Sequence, residues 1–147
     1  MAKYRKPGWF TKRVFNPLVA GAMRLGISVL GSRILRVRGR RSGEWRTVPV
    51  NVLTHDGARY LVAPRGNTEW CRNLRVAGGG ELQLGRRTET FVATELPDAD
   101  KPELLRAYLR RWKREVGIFF DGVDDASSDE ELRRIAGDHP VFRIADG

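Results

Sequence analysis

The sequence predicts one α+β domain in which a small, mostly antiparallel β-barrel carries flanking helices. Three observations lead there. Short, partly alternating apolar segments recur between glycine-containing turns, a helix-period segment separates the third of them from the fourth, and an amphipathic stretch with a capped helix precedes a last short strand. At 147 residues the chain suits a single domain, residues 1–147, able to bury a core without a metal or disulfide. It contains no repeat, low-complexity tract or domain linker.

Residues 1–32 form a basic amphipathic segment. Lys3, Arg5, Lys6, Lys12 and Arg13 surround Trp9 and Phe10, and residues 14–30 predict a helix with a broad apolar face of Phe15, Leu18, Val19, Ala22, Leu25, Ile27 and Val29. Asn16, Pro17 and Arg24 argue against a membrane span, which needs ~20 largely uncharged residues, and no signal-peptide pattern fits. Two readings stay open: a helix packed on the domain, or an interfacial helix on anionic lipid with Trp9 and Phe10 at headgroup level.

Strands follow. Residues 34–38 alternate in part, an Arg-Arg-Ser-Gly turn (40–43) intervenes, and residues 47–53 make a second strand. His55-Asp56-Gly57 then turns the chain into a third strand over 59–63. Pro49 cannot donate to a ladder, which places it at an edge or bulge, a feature common beside sites. Residues 69–77 predict a short helix ended by Gly78-Gly79-Gly80, and residues 81–84 and 88–94 a pair of strands joined at Gly85-Arg86-Arg87. Residues 97–116 read as a helix with Leu104, Leu105, Tyr108, Leu109 and Trp112 inward. Ser127 and Ser128 cap another, with Asp129, Glu130 and Glu131 in its first turn and Arg133 and Arg134 in its last, matching the helix dipole at both ends. Val141-Phe-Arg-Ile closes with a strand.

The net charge of +9 is unevenly spread. The first fifty residues hold twelve Lys/Arg against one acid, Glu44, whereas the remaining 97 hold 15 basic and 17 acidic groups. The excess calls for a polyanion: a phosphorylated cofactor, an anionic lipid surface or a nucleic acid. No nucleic-acid reader motif is present. The lone Cys71 excludes an intrachain disulfide, and with only His55 and His139 there is no zinc set and no Cys/His nucleophile pair. A reducing cytoplasm fits, and both histidines read as structural or solvated.

The chemistry concentrates in two places. In residues 37–50, Arg38, Arg40, Arg41 and Arg46 supply charge, Ser42 a hydroxyl, and Gly39 and Gly43 let backbone N–H groups converge. Arginine's planar fork gives a phosphate or carboxylate two parallel hydrogen bonds, although a solvated hairpin turn accounts for this stretch equally well. Farther along, Arg65 and Gly66 lie where a loop leaves the third strand, and Trp70, Asn73 and Leu74 share one face of the next helix. Trp70 would pack on a ring system and Asn73 fix an amide or carbonyl. Taken singly, Trp70 reads more readily as a core aromatic, Arg65 as a solvated loop charge and Asn73 as a helix-to-loop bond.

In order and spacing, Arg-Gly-Arg-Arg-Ser-Gly (38–43), Arg-Thr-Val-Pro-Val (46–50), Leu-Val-Ala-Pro-Arg-Gly (61–66) and Glu-Trp-Cys-Arg-Asn-Leu-Arg (69–75) resemble the deazaflavin (F420)-dependent nitroreductase family over residues 33–97. The resemblance implies a split β-barrel of the FMN-binding, PNP-oxidase-like kind and coenzyme F420 as cofactor, with FMN as the alternative. It implies that Arg40, Arg41, Ser42 and Arg46 hold the cofactor's phosphate and acidic tail, that Pro49 lies beside it, that Ala63, Pro64, Arg65 and Gly66 line the deazaflavin, and that Trp70 and Asn73 match the family's tryptophan–asparagine pair. Nitroimidazole-activating members close the acceptor pocket with a tyrosine from the C-terminal third; residues 116–123 hold none, which argues against that substrate. Phe119 and Phe120 are the candidates for walling an apolar acceptor site, against the plainer reading of core packing.

The resulting expectation is an oxidoreductase that transfers hydride from reduced F420 to an electrophilic, quinone-like lipophilic acceptor. It is cytoplasmic, at the inner face of the cell membrane if the N-terminal helix touches lipid. The alternatives are a non-catalytic carrier of deazaflavin, flavin or another anionic ligand and, last, a nucleic-acid or membrane-binding module. No catalytic residue and no oligomeric state is legible.

Overall fold

The computed structural model describes residues 32–147; the expected N-terminal helix lies outside the described residues. Six antiparallel strands close into a barrel. They are β1 (Ser32–Arg38), β2 (Trp45–His55), β3 (Ala58–Val62), β4 (Gly79–Leu84), β5 (Arg87–Glu95) and β6 (Val141–Asp146), arranged around the ring as β1-β2-β3-β6-β5-β4. Three helices join them: α1 (Glu69–Ala77), α2 (Pro102–Val116) and α3 (Asp129–Ile135). Among the described residues, no helix is long and apolar enough to cross a membrane.

Alternation along the strands divides the apolar residues into two cores. Leu35, Val37, Leu61, Leu82, Phe91, Phe142 and Ile144 meet Cys71 and Leu74 of α1 in one cluster, with Val48, Val50, Val52 and Trp70 against it. The opposite faces of β2, β3 and β6 give Leu53, Val62 and Val141 to a second cluster under α2 and α3. In α2 the apolar positions Leu105, Tyr108, Leu109, Trp112 and Val116 recur at helical spacing and are all buried. Pro102 occupies the first turn, where its missing N–H has no intrahelical partner to lose. The helix thus begins five residues later than the apolar pattern implies, and a 3₁₀ turn at Asp98–Asp100 fills the gap. For α3 the expected cap is present. Glu131 N–H donates to Ser128 Oγ at 3.1 Å, and Ser128 N–H to Glu131 Oε1 at 3.0 Å.

One local reading is revised. Only Gly78 ends α1, in the left-handed conformation with φ 74°, its N–H donating to Leu74 O at 2.8 Å. Gly79 and Gly80 belong to β4, where a Cβ would lie 2.3 Å from Phe91 O and 2.5 Å from Arg36 O. Close approach of three strands, not a turn, requires them. Pro49 lies opposite Ile34 in β2, and β3 pairs with β2 only from Val52 onward. Among the described residues its half of the strand therefore has a β-partner on one side only, the tolerated position for a residue with no N–H.

Candidate functional site

The β1–β2 connection is an internally bonded arginine turn. Gly39 N–H donates to Glu44 O at 2.8 Å and Gly43 N–H to Gly39 O at 2.9 Å. Gly43 takes φ 72°, a conformation that disfavours any residue with a Cβ. Ser42 Oγ accepts from Glu44 N–H at 3.1 Å, and Arg38 Nη1 donates to Gly43 O at 3.0 Å. Arg41, Ser42 and Arg46 are exposed. On the outer face, the guanidiniums of Arg36 and Arg38 sit 4.7 and 4.2 Å from the ring centre of Trp45, an aromatic the sequence reading passed over.

Arg40 behaves differently from its neighbours. Its backbone N–H and its Nη1 donate to Asn73 Oδ1 at 3.1 and 2.8 Å, and Nη1 also reaches Glu69 Oε2 at 2.6 Å. These contacts cross some thirty residues of sequence and dock the turn on the first two turns of α1. Asn73 is buried, so its carbonyl serves the protein and is not offered to a ligand, which corrects the expectation for that atom. Glu69, unmarked by sequence, carries a carboxyl held below the usual range, first by the Arg40 hydrogen bond and then by its charge.

The loop from Ala63 to Thr68 reaches the same helix and is fixed at several points. Ala63 N–H donates to Pro140 O at 2.9 Å, while Ala63 O accepts from Gly66 N–H at 3.3 Å and from His139 Nδ1 at 3.2 Å. Gly66 turns the chain at φ 95°, and its carbonyl takes Thr68 N–H at 2.8 Å and the Cys71 thiol at 3.7 Å. His139 is buried, with its ring stacked 4.1 Å from that of Phe120. Desolvation depresses its pKa to about 4, keeping it neutral. Burial pushes the Cys71 thiol up to about 12, so it is no nucleophile. His139 and Cys71 are thus packed in the interior. His55 lies near carboxylates of Asp56 and Glu103 at 3.5 and 3.2 Å, away from the arginine turn.

The structure therefore brings together Arg40, Arg41, Ser42, Asn73 and, through the start of α1, the Ala63–Gly66 loop and Trp70. Trp70 is half-buried, its ring 6.1 Å from Phe142. Arg46 and Pro49 are three residues apart on β2 and so face opposite sides of the strand; Arg46 shares the face of Val48 and Val50, whereas Pro49 shares that of Trp45. Phe119 and Phe120 do not wall a groove. Both are buried in the cluster beneath α2, Phe120 between Tyr108 and His139, and this core packing replaces the acceptor-wall reading. The donor set fits an anionic, phosphate-bearing ligand: exposed guanidiniums at Arg41 and Arg46 beside a glycine turn whose main chain Asn73 holds still.

A closed six-stranded antiparallel barrel with an arginine turn docked on α1 defines the fold class, a split β-barrel. The model of the F420H(2)-dependent quinone reductase family matches residues 5–116, and the chain belongs to that family. It is an F420-dependent reductase, and coenzyme F420 is its cofactor. Among solved structures, an F420-H2-dependent reductase aligns at 19% identity over 82% of this chain and all of its own, with a TM-score of 0.52. A FAD-binding protein from Mesorhizobium loti aligns at 15% identity, covering 90% of this chain and 91% of its own, with a TM-score of 0.53. A protein of the NimC/NimA family from Clostridium acetobutylicum aligns at 13%, covering 92% and 87%, also at 0.53. These likenesses establish the fold. No curated protein matches the sequence.

Proposed function

We propose that this chain transfers hydride from reduced coenzyme F420 to a quinone-like, lipophilic acceptor, which takes up a proton as well and leaves as the quinol. The observation that carries the placement of the cofactor is the Arg40–Asn73 contact, because it joins the arginine turn to the helix that follows the Ala63–Gly66 loop. Arg40, Arg41, Arg46 and the Ser42 hydroxyl hold the phosphate and acidic tail, with Asn73 bracing Arg40. Ala63, Pro64, Arg65 and Gly66 run along the ring system, and Trp70 contributes an apolar edge backed by Phe142. When bound, the deazaflavin supplies hydride chemistry; the protein supplies orientation and exclusion of water. The neutral buried His139 keeps the Ala63 carbonyl in place.

The basic first fifty residues favour work at an anionic membrane surface, where a lipophilic quinone resides. The reading is tested by titrating the purified protein with F420 and with FMN, followed by fluorescence, and then adding a soluble quinone to the reduced complex. Oxidation of the cofactor only after quinone addition supports the enzyme. Tight F420 binding with no oxidation by any quinone leaves a carrier and sinks the proposal.

A further inference from the structure

We propose that Glu69 is a built-in stand-in for the ligand's anion: its carboxylate holds the Arg40 guanidinium in the free protein and yields it to an incoming phosphate or carboxylate, so that Glu69 sets the affinity of the arginine turn for anions. The inference rests on the assignment of that turn to the cofactor's charged tail. Its basis is an asymmetry between the two partners of one ion pair. The Arg40 side chain is 18% exposed and is held independently by Asn73, through its backbone N–H and through Nη1. The Glu69 side chain is 74% exposed, and no hydrogen bond other than the 2.6 Å contact with Arg40 ties its carboxylate down among the described residues. Removing the carboxylate thus leaves the cation held by Asn73, with one charge uncompensated.

The displaced carboxylate also has somewhere to go. Glu69 opens α1, where the helix dipole favours an acid, and Arg72 lies three residues on, close enough to help hold the carboxyl in its charged form. An exposed ion pair contributes little in water, whereas a phosphate meeting the fork of Arg40 together with Arg41 and Arg46 makes several charge-assisted hydrogen bonds at once. Exchange of Glu69 for the ligand is therefore downhill for a multiply charged anion and nearly neutral for a weak one. The residue acts as a threshold on which anions the turn retains.

The test compares wild type with Glu69→Gln and Glu69→Ala in the full chain, measuring binding of oxidised F420 by fluorescence and of inorganic phosphate by calorimetry, with melting temperature as a control for folding. A carboxylate that competes with the ligand predicts affinity about two- to fivefold tighter in a variant, the range an exposed ion pair supports, with the gain abolished in an Arg40→Ala background. A purely structural Glu69 predicts the opposite sign, since its loss would loosen the turn. Equal or weaker affinity in both variants overturns the inference. Wild type that fails to bind F420 counts against the cofactor assignment, and the phosphate arm then decides the role of Glu69 alone: no gain in phosphate affinity in either variant overturns it.

Discussion

Asn73 Oδ1 accepts from both the backbone N–H and the guanidinium of Arg40, at 3.1 and 2.8 Å, so one buried amide fixes the main chain and the side chain of the same turn residue. Asn73→Ala removes both bonds. We expect a loss of about 1–3 kcal/mol in folding stability by urea denaturation, the range for stranding part-buried donors, together with weaker F420 binding. Unchanged stability would mean that the turn stands without α1.

Arg40 and Arg41 should respond differently to alanine. Arg41 is exposed, so Arg41→Ala is expected to leave stability within about 0.5 kcal/mol of wild type while weakening F420 affinity and flattening its salt dependence. Arg40→Ala should lower both stability and affinity. Paired titrations and melts check the contrast, and equal effects on stability would undo it.

His139 makes folding stability sensitive to acid. Its folded pKa, depressed from 6.5 to about 4 by burial, means that the unfolded chain takes up the proton first. The contribution is complete above pH 6.5 and is lost as pH falls from there toward 4, at up to ~1.4 kcal/mol per unit and roughly 3 kcal/mol in all. His139→Gln should be less stable at neutral pH yet show a shallower decline across that window in urea titrations.

The Cys71 thiol, buried and with its pKa pushed up to about 12, should stay unreactive toward a disulfide reagent at about pH 8 in the native protein and titrate fully in denaturant. Reaction of the folded protein at the rate of a free thiol would contradict its placement between Gly66 and Thr68.

Two glycine substitutions separate steric from conformational cost. Gly80→Ala drives a methyl to 2.5 Å from Arg36 O, a backbone atom that moves only if β1 and β4 part; a loss of several kcal/mol or failure to fold is expected. Gly43→Ala meets nothing within 4 Å and is strained only by its φ of 72°, for about 1 kcal/mol. Chemical denaturation of the two variants measures the difference.

These residues also mark what a linear reading can reach. The hairpin at Asp56-Gly57 was legible because both residues take positive φ, 49° and 79°, a local demand written in local residue types. The Ser128–Glu131 box and the inward stripe of α2 were legible for the same reason. Gly79 and Gly80 resemble a helix stop in sequence, but their constraint comes from strands on either side of β4. The arginine turn stood out by composition, but that Arg40 is braced on Asn73 and faces Glu69 is a contact across the fold, and nothing in the sequence distinguished it from Arg41. The Phe119–Phe120 pair carried no signal separating pocket from core; the stacking of Phe120 on His139 decides it.

The loop at Ala63 owes its shape to residues that arrive much later in the chain. Ala63 N–H is bonded to Pro140 O and Ala63 O to His139, and the neighbouring ladder of β3 with β6 joins Leu61 to Phe142. Neighbouring strands such as β1 and β2 can pair early, but this ladder must wait for the closure of a long loop, the slow kind of step in folding. Until that seam shuts, the segment proposed to carry the deazaflavin has no fixed geometry. Cofactor capture should therefore lag behind hairpin formation during refolding and report the moment at which the ring is complete.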